Sequence, residues 1–450
     1  PKLNMNLISA TSLLISGGFR MFTQLSKIVA ISLLASTAAM AVCPSGTESL
    51  GVVNSVERCA LKGKYLNTQL TLTAKNEYVI TDGVFIGGDN EQSSKLVIEP
   101  GTKLVGLPAA FISVMRGSQI IAQGTAKKPI VFTSAQATPK RGDWGGLVLN
   151  GNAPINACKA GVAICEAVSE GIKVEQVKFG GNNSKDNSGI LKYVRVEYVG
   201  YPISPDNELN GITFNAVGSD TTVENIQVHM SSDDGIEFFG GTVNAKYVVL
   251  TSNEDDSLDW DMGWTGKVQH LLIDQGQDAV DNGIEADNLK SPMNAMPRSN
   301  PTISNMTLIG SPKSAFGLLL RRGTGATIVN SIIVGTGKAA INIDDAETFT
   351  NGAKVVGTAV YAEGLKFENT IAYSAKNFEF DAAKDAWSTE AWFTAQKGNS
   401  TQDPQLVGHM PAATSPVLKM GVSSDDLFFD GVNHIGAFAK KDWTQGWTTK

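Results

Sequence analysis

Several things are scarce or missing in this 450-residue sequence, and each absence excludes something. No amphipathic helix of useful length separates its β-rich runs, which excludes βαβ architectures. Asn-Gly hairpin turns between longer strands are few, so an ordinary sandwich is not expected. Basic charge is not in excess: 37 Lys and Arg face 44 Asp and Glu, for a formal charge of −7. That balance argues against nucleic acid or an anionic membrane surface as partner and is compatible with metal cations. There are only four Cys and four His, and their spacing is not that of a compact tetrahedral zinc site. No Ser-His-Asp or Cys-His arrangement is suggested.

Long apolar runs are absent too. The run 28–35 is too short to span a bilayer. Beginning at Met21, it reads instead as a signal peptide: Lys27 as the positive region, the apolar run as its core, and Ala39-Met40-Ala41 as the cleavage site. Residues 1–20, which open on Pro1 and hold another apolar run over 7–15, read as upstream or non-native sequence, with Met5 as an alternative start. Val42 stands where a lipobox wants Gly or Ala, so Cys43 is not read as a lipid anchor. The expected product is a soluble exported protein in the periplasm, on the cell surface or outside the cell. Loss of residues 1–41, with three basic side chains and no acid, takes the charge to −10.

All four cysteines lie beyond that cleavage point. The close spacing within each pair favours Cys43–Cys59 and Cys158–Cys165 among the three possible connectivities, two local staples suited to an oxidising compartment.

What is present is repetition. The phrases Asp233-Asp234-Gly235-Ile236-Glu237-Phe238, Asp255-Asp256-Ser257-Leu258-Asp259-Trp260 and Asp281-Asn282-Gly283-Ile284-Glu285-Ala286 start 22 and 26 residues apart. That period is too short for a domain and right for one coil of a solenoid. Alternation along a strand sends Ile236, Leu258 and Ile284 inward and Glu237, Asp259 and Glu285 outward. A second alignable column reads Tyr193, Asn225, Tyr247, His270, Asn305, Asn330 and Asn369. An Asn repeated at one turn of each coil predicts an amide ladder bonding the coils above and below, with His270 as a structural member. Insertions are expected around 201–209, 289–300 and 347–364.

The chain here resembles the secreted right-handed parallel β-helix proteins of the pectate-lyase-like superfamily. The resemblance covers most of 75–375. It is carried by Glu99-Pro100-Gly101-Thr102, Gly124-Thr125-Ala126 before Pro129-Ile130-Val131-Phe132-Thr133, Gly142-Asp143-Trp144-Gly145-Gly146, and the Asn column. It implies an all-β, right-handed parallel β-helix of ~22–25-residue coils. Around it we place a disulfide-stapled leader over 42–74, the helix over 75–378, and a helical and aromatic cap over 379–450. In that cap, 381–395 reads as a short amphipathic helix. Trp443 and Trp447 read as part of a cover for the last coil's open edge, with sugar stacking as the alternative.

Stacked, the acids make two columns: Asp233, Asp255 and Asp281, and Glu237, Asp259 and Glu285. At a coil spacing of about 4.8 Å, two carboxylates can share one calcium ion, whose oxygens sit near 2.4 Å. A solvated acidic stripe is the alternative. Polysaccharide-active β-helices place such acids, often with calcium, where a linear chain can lie; Trp260 and Trp264 are candidate stacking residues, although alternation favours the core for Trp260. By alternation only one of Arg321 and Arg322 shares the face with Glu285. The Gly-His-Gly and Arg-Ile-Lys signatures of the polygalacturonase-like members are missing, and Asp233-Asp234 matches only their acid pair. The reading is therefore an exported, non-catalytic, calcium-binding protein for a polysaccharide or cell-envelope component. A calcium-dependent lyase or glycoside hydrolase is the alternative, and a purely structural envelope scaffold a third class.

Overall fold

A computed structural model describes residues 42–450, except 160, 173–175 and 205–206. The expected signal peptide and the segment before it lie outside the described residues. The chain winds as an all-β parallel solenoid, right-handed as β-connections of this kind are, with strands stacked coil on coil in one continuous ladder. Parallel pairing already begins at Glu57, opposite Asn76, inside the stretch expected as a leader.

Each coil has three sides. The first carries short strands such as Leu147–Asn150, Ile212–Asn215, Ile236–Phe239, Leu258–Asp261 and Ile284–Ala286. The other two come from one longer strand that folds at a corner. In Gly189–Glu197 the first half pairs with Gln119–Gln123 and the second with Ile130–Ser134. The corner is Tyr193, at φ 49°. Its equivalents Asn225, Tyr247, His270, Asn305, Asn330 and Asn369 all have φ between 45° and 59°. Asn is enriched in this left-handed region because its short polar side chain tolerates it. The column is thus a row of corners, and the Asn residues answer a backbone demand.

The expected amide ladder along this row is corrected. Asn305 Nδ2 donates to His434 O at 3.0 Å and Asn330 Nδ2 to Val422 O at 2.8 Å, so the row bonds the C-terminal tail. An inter-coil Asn pair does occur, on the first side, where Asn215 Nδ2 donates to Asn150 Oδ1 at 3.0 Å.

Inward residues form the core. Phe214 stacks on Phe238 at 5.1 Å between centroids and Phe238 on Trp264 at 3.9 Å. Trp260 and Trp264 are fully buried, and their indole N–H groups donate to Thr324 Oγ1 and Val243 O, so neither can stack on a sugar. The solenoid's last coil is sealed by Trp387, Trp392 and Phe393, packed on Phe349 and Phe367. The helix that carries Trp392 and Phe393 is shorter than expected, Thr389–Thr394, because Ser388 caps it by accepting from Ala391 N; Trp387 precedes it, and Ala382 and Ala386 stay exposed.

The final segment does not cover that end. From Val417, against Ile332 and Ile371, it runs back along the corner row to Trp447, which meets Tyr193 edge-on. Three amide side chains clip it on, each donating to and accepting from one tail residue: Asn330 on Val422, Gln269 on Asp430 and Gln227 on Thr449. The disulfides Cys43–Cys59 and Cys158–Cys165 both form. Among the described residues no helix is long and apolar enough to cross a membrane.

Candidate metal centre

The first side's outward row places Thr213, Glu237, Asp259, Glu285 and Leu319 on successive coils in parallel register. The loop before each strand adds a pair of residues: Asp233-Asp234, Asp255-Asp256 and Asp281-Asn282. Two kinds of acid cluster result, each repeated one coil further on. The rim kind joins Asp233, Asp234 and Asp255, then Asp255, Asp256 and Asp281. The deep kind joins Asp234, Glu237 and Asp259, then Asp256, Asp259 and Glu285. Within each cluster the ligand atoms lie within 4.8 Å of one another. Such clusters of acids could bind a metal.

The sequence reading missed a column here. Asp234 Oδ1 accepts from Asp256 N at 3.0 Å, Asp256 Oδ1 from Asn282 N at 2.7 Å, and Asn282 Oδ1 from Phe316 N at 3.2 Å. Each second residue of the doublet therefore ties its loop to the loop of the next coil and turns a carboxylate or amide inward. The doubled acid was the available signal, since both members of a pair in a loop need not alternate like strand residues.

A second correction concerns exposure. Glu237 is only 9 % exposed, while Asp255 and Asp281 remain open to solvent. The row expected to be an open outer face is the floor of a trough with an acidic rim. Asn210 overhangs it, donating to Glu237 Oε2 at 2.6 Å. Glu170 and Glu208, from insertions on neighbouring coils, add charge at the same end.

Burial raises the carboxyl pKa values, with neighbouring carboxylates adding to it. Asp234, Glu237, Asp256 and Asp259 are held well above the ordinary range by desolvation first. Asp233 is pushed up to about 7 by desolvation and then by Asp255. Glu285 also reaches about 7, by desolvation, with Arg321 pulling the other way. Two carboxylates 4.8 Å apart repel by roughly 3 kcal/mol at an effective dielectric near 20.

Positive charge is confined to one end. Arg321 bonds Glu285 and, at 2.9 Å, Asp287, while Arg322 Nη1 reaches Asp287 at 2.6 Å. Both arginines thus serve this face, against the expectation of one: the strand ends at Leu320 and Arg322 sits at φ 50°, where alternation no longer holds. Among the described residues no ion pair reaches Asp233, Asp234, Glu237, Asp255, Asp256, Asp259 or Asp281. Asp259 Oδ1 is buried without a hydrogen-bond partner.

A closed parallel solenoid with a built acid trough defines a class, and the sequence comparison gives it a family. The chain matches the pectate-lyase like beta helix domain over residues 63–448 and belongs to that family. No curated protein and no solved structure matches it.

Proposed function

We propose that this is an exported, non-catalytic β-helix binding protein whose acid trough holds calcium. The observation that carries the reading is the deep cluster of Asp234, Glu237 and Asp259. Its carboxylates converge within 4.8 Å, and one buried oxygen has no partner. Calcium takes six to eight oxygens at about 2.3–2.6 Å in flexible geometry, so oxygens on neighbouring coils reach one ion; magnesium, near 2.1 Å and strictly octahedral, suits that spacing less. The open rim of Asp255 and Asp281 supplies a way in. The two disulfides support an oxidising destination, in the periplasm, on the cell surface or outside the cell.

The overhang of Asn210 and the burial of Glu237 favour an enclosed ion over a polysaccharide lying along the acids. The calcium-dependent lyase or hydrolase is thereby the lesser reading. Calorimetric titration of chelator-treated protein with calcium tests the proposal: binding heat and a higher melting temperature are expected, and the absence of both overturns it. Unsaturated or reducing ends released from an acidic polysaccharide would restore the enzyme reading.

A further inference from the structure

The four histidines of the chain gather along one seam, between the tail and the coils it lies on. His229 and His270 belong to the coils and His434 to the tail. His229 lies beside the tail's last residues, Thr448, Thr449 and Lys450. His409 reaches the tail through Asp442, its Nε2 3.0 Å from Oδ2. Across the seam the His270 ring stacks with that of His434 at 6.3 Å between centroids, and it stacks on Tyr247 at 4.6 Å. Both imidazoles are buried, and His270 Nδ1 and His434 Nε2 have no hydrogen-bond partner among the described residues. A neutral ring tolerates this seat, because one of its nitrogens is only an acceptor. An imidazolium would bury an unpaired donor and a charge beside a second ring of the same sign.

The surrounding charges leave that penalty in place. Asp430 Oδ2 is 3.5 Å from His270 Nε2, but Asp430 is shared with Lys246 at 2.7 Å and with the Tyr247 hydroxyl at 3.1 Å. Lys440, Lys441 and Asp442 line the opening above these rings. His229 faces Tyr198, Arg141 and Arg195, the last bonded to Glu197, with Asp274 and Lys450 in the same pocket. Its Nδ1 is 2.8 Å from Thr251 Oγ1. Burial first of all pulls His229 and His270 down to about 4, with Arg141 adding to it at His229 and Asp430 opposing it at His270. Burial also lowers His434. His409 with Asp442 is the one contact that protonation would strengthen, and it sits at the partly exposed rim, where water screens it.

We propose that the stretch from Asp430 to Thr449 is an acid-released strap: protonation of the buried histidines at the seam lifts it from the corner row while the coils stay folded. Release uncovers Tyr193 and Tyr247, which Trp447 and Trp443 otherwise cover edge-on. A ring held neutral in the seam stabilises docking above about pH 6.5, and this is lost as pH falls toward about 4. Asp430 is held below the ordinary carboxylate range, against its own burial, by Lys246 and Tyr247, and Asp442 likewise by Thr444 and His409. Both therefore stay ionised through this window, and the loss belongs to the rings. The trough gains protons over the same range and is steadied by them, so acid acts oppositely on strap and solenoid.

The test is hydrogen exchange of the full chain at pH 7 and pH 4.5, corrected for the intrinsic effect of pH. Protection at the clipped amides of Asp430, Gly436 and Thr449 should fall in acid by about tenfold or more, while Ile236 and Leu258 in the coils keep theirs. H270N/H434Q should retain the protection of wild type at pH 7 and lose most of the acid response at Asp430 and Gly436. Asn suits the left-handed corner at 270, as it does at Asn305 and Asn330. Unchanged protection of wild type in acid overturns the proposal, as does an equal acid response in the double variant. Should the variant already be undocked at pH 7, ring titration of wild type by NMR decides. The His270 and His434 rings must charge together with the loss of protection; rings that charge while the clipped amides stay protected overturn it.

Discussion

The acid trough and the corner row are built by the same coils and come out opposite in character. In both, the parallel register sets like side chains directly above one another. In the trough the stacked groups are carboxylates, and Glu237, Asp259 and Glu285 add repulsion at every step. In the corner row they are rings and amides: Tyr247 stacks on His270 at 4.6 Å, and Asn305 and Asn330 spend their amides on the tail. A solenoid can satisfy a column of amides or aromatics from its own chain. A column of acids meets charge from its own chain only at the Arg321 end, and along the rest of it a proton or a cation would relieve the repulsion.

The largest effect should come from removing that outside help. Asp233 and Glu285 are pushed up to about 7 in the fold, well above the ordinary carboxylate range, so the folded state holds protons that the unfolded chain would release. The stability this contributes is fully present below about pH 4 and is lost as pH rises through about 7. Chelator-treated protein should therefore melt progressively lower across that window. Calcium should reverse the loss at pH 7.5 and do little at pH 4.5, where protons already neutralise the trough. At a thousandfold excess over its Kd the gain is about 4 kcal/mol. Scanning calorimetry over pH, with and without calcium, checks it; a flat profile in chelator would remove the contrast between the two columns.

A smaller, sharper effect separates the trough's two kinds of acid. Glu237→Gln removes an acid from the floor and should raise the melting temperature in chelator while weakening the calcium response. Asp256 also joins coils, because it accepts from Asn282 N at 2.7 Å. Asp256→Ala should cost about 1–3 kcal/mol by orphaning that buried N–H. Asp256→Asn keeps the acceptor and should lose calcium affinity without that penalty. Urea denaturation of the three variants, each with and without calcium, distinguishes the roles.

Much of this was legible in the sequence, and the misses share a physical cause. Period and alternation identified the stacked strands, the inward aliphatics and the outward row of Glu237, Asp259 and Glu285, because those follow from local geometry alone. Alternation fails where the strand stops, which is why Asp234, Asp256 and Arg322 were misjudged. Long-range cover is invisible to it: Asn210 over Glu237, and Glu170 and Glu208 at the same end, belong to insertions whose path no repeat specifies. The tail shows the same limit. Its aromatics announced packing, yet which surface they pack on is decided by amides such as Gln227 and Gln269, which look like ordinary strand residues until the tail is laid on them.

The most local expected effect tests that last point. Gln269 donates from Nε2 to Asp430 O at 3.1 Å and accepts from Asp430 N at 2.7 Å, closing a two-point clip on one residue. Its side chain also donates to Asn305 Oδ1 at 3.1 Å, linking clip to corner row. Gln269→Ala removes all three bonds at a fully buried position, and at about 1 kcal/mol net per typical bond the loss should be roughly 3 kcal/mol. Glu in its place would keep the acceptor for Asp430 N but set a carboxylate against Asp430 O, so it should rescue nothing. Hydrogen exchange should quicken in Q269A at the amides around Asp430, which are clipped, and stay unchanged at Asp256 and Asn282, which lie in the trough. Calcium affinity should be untouched. Faster exchange at both places would mean that the tail braces the whole solenoid, and the two columns would then be one cooperative unit.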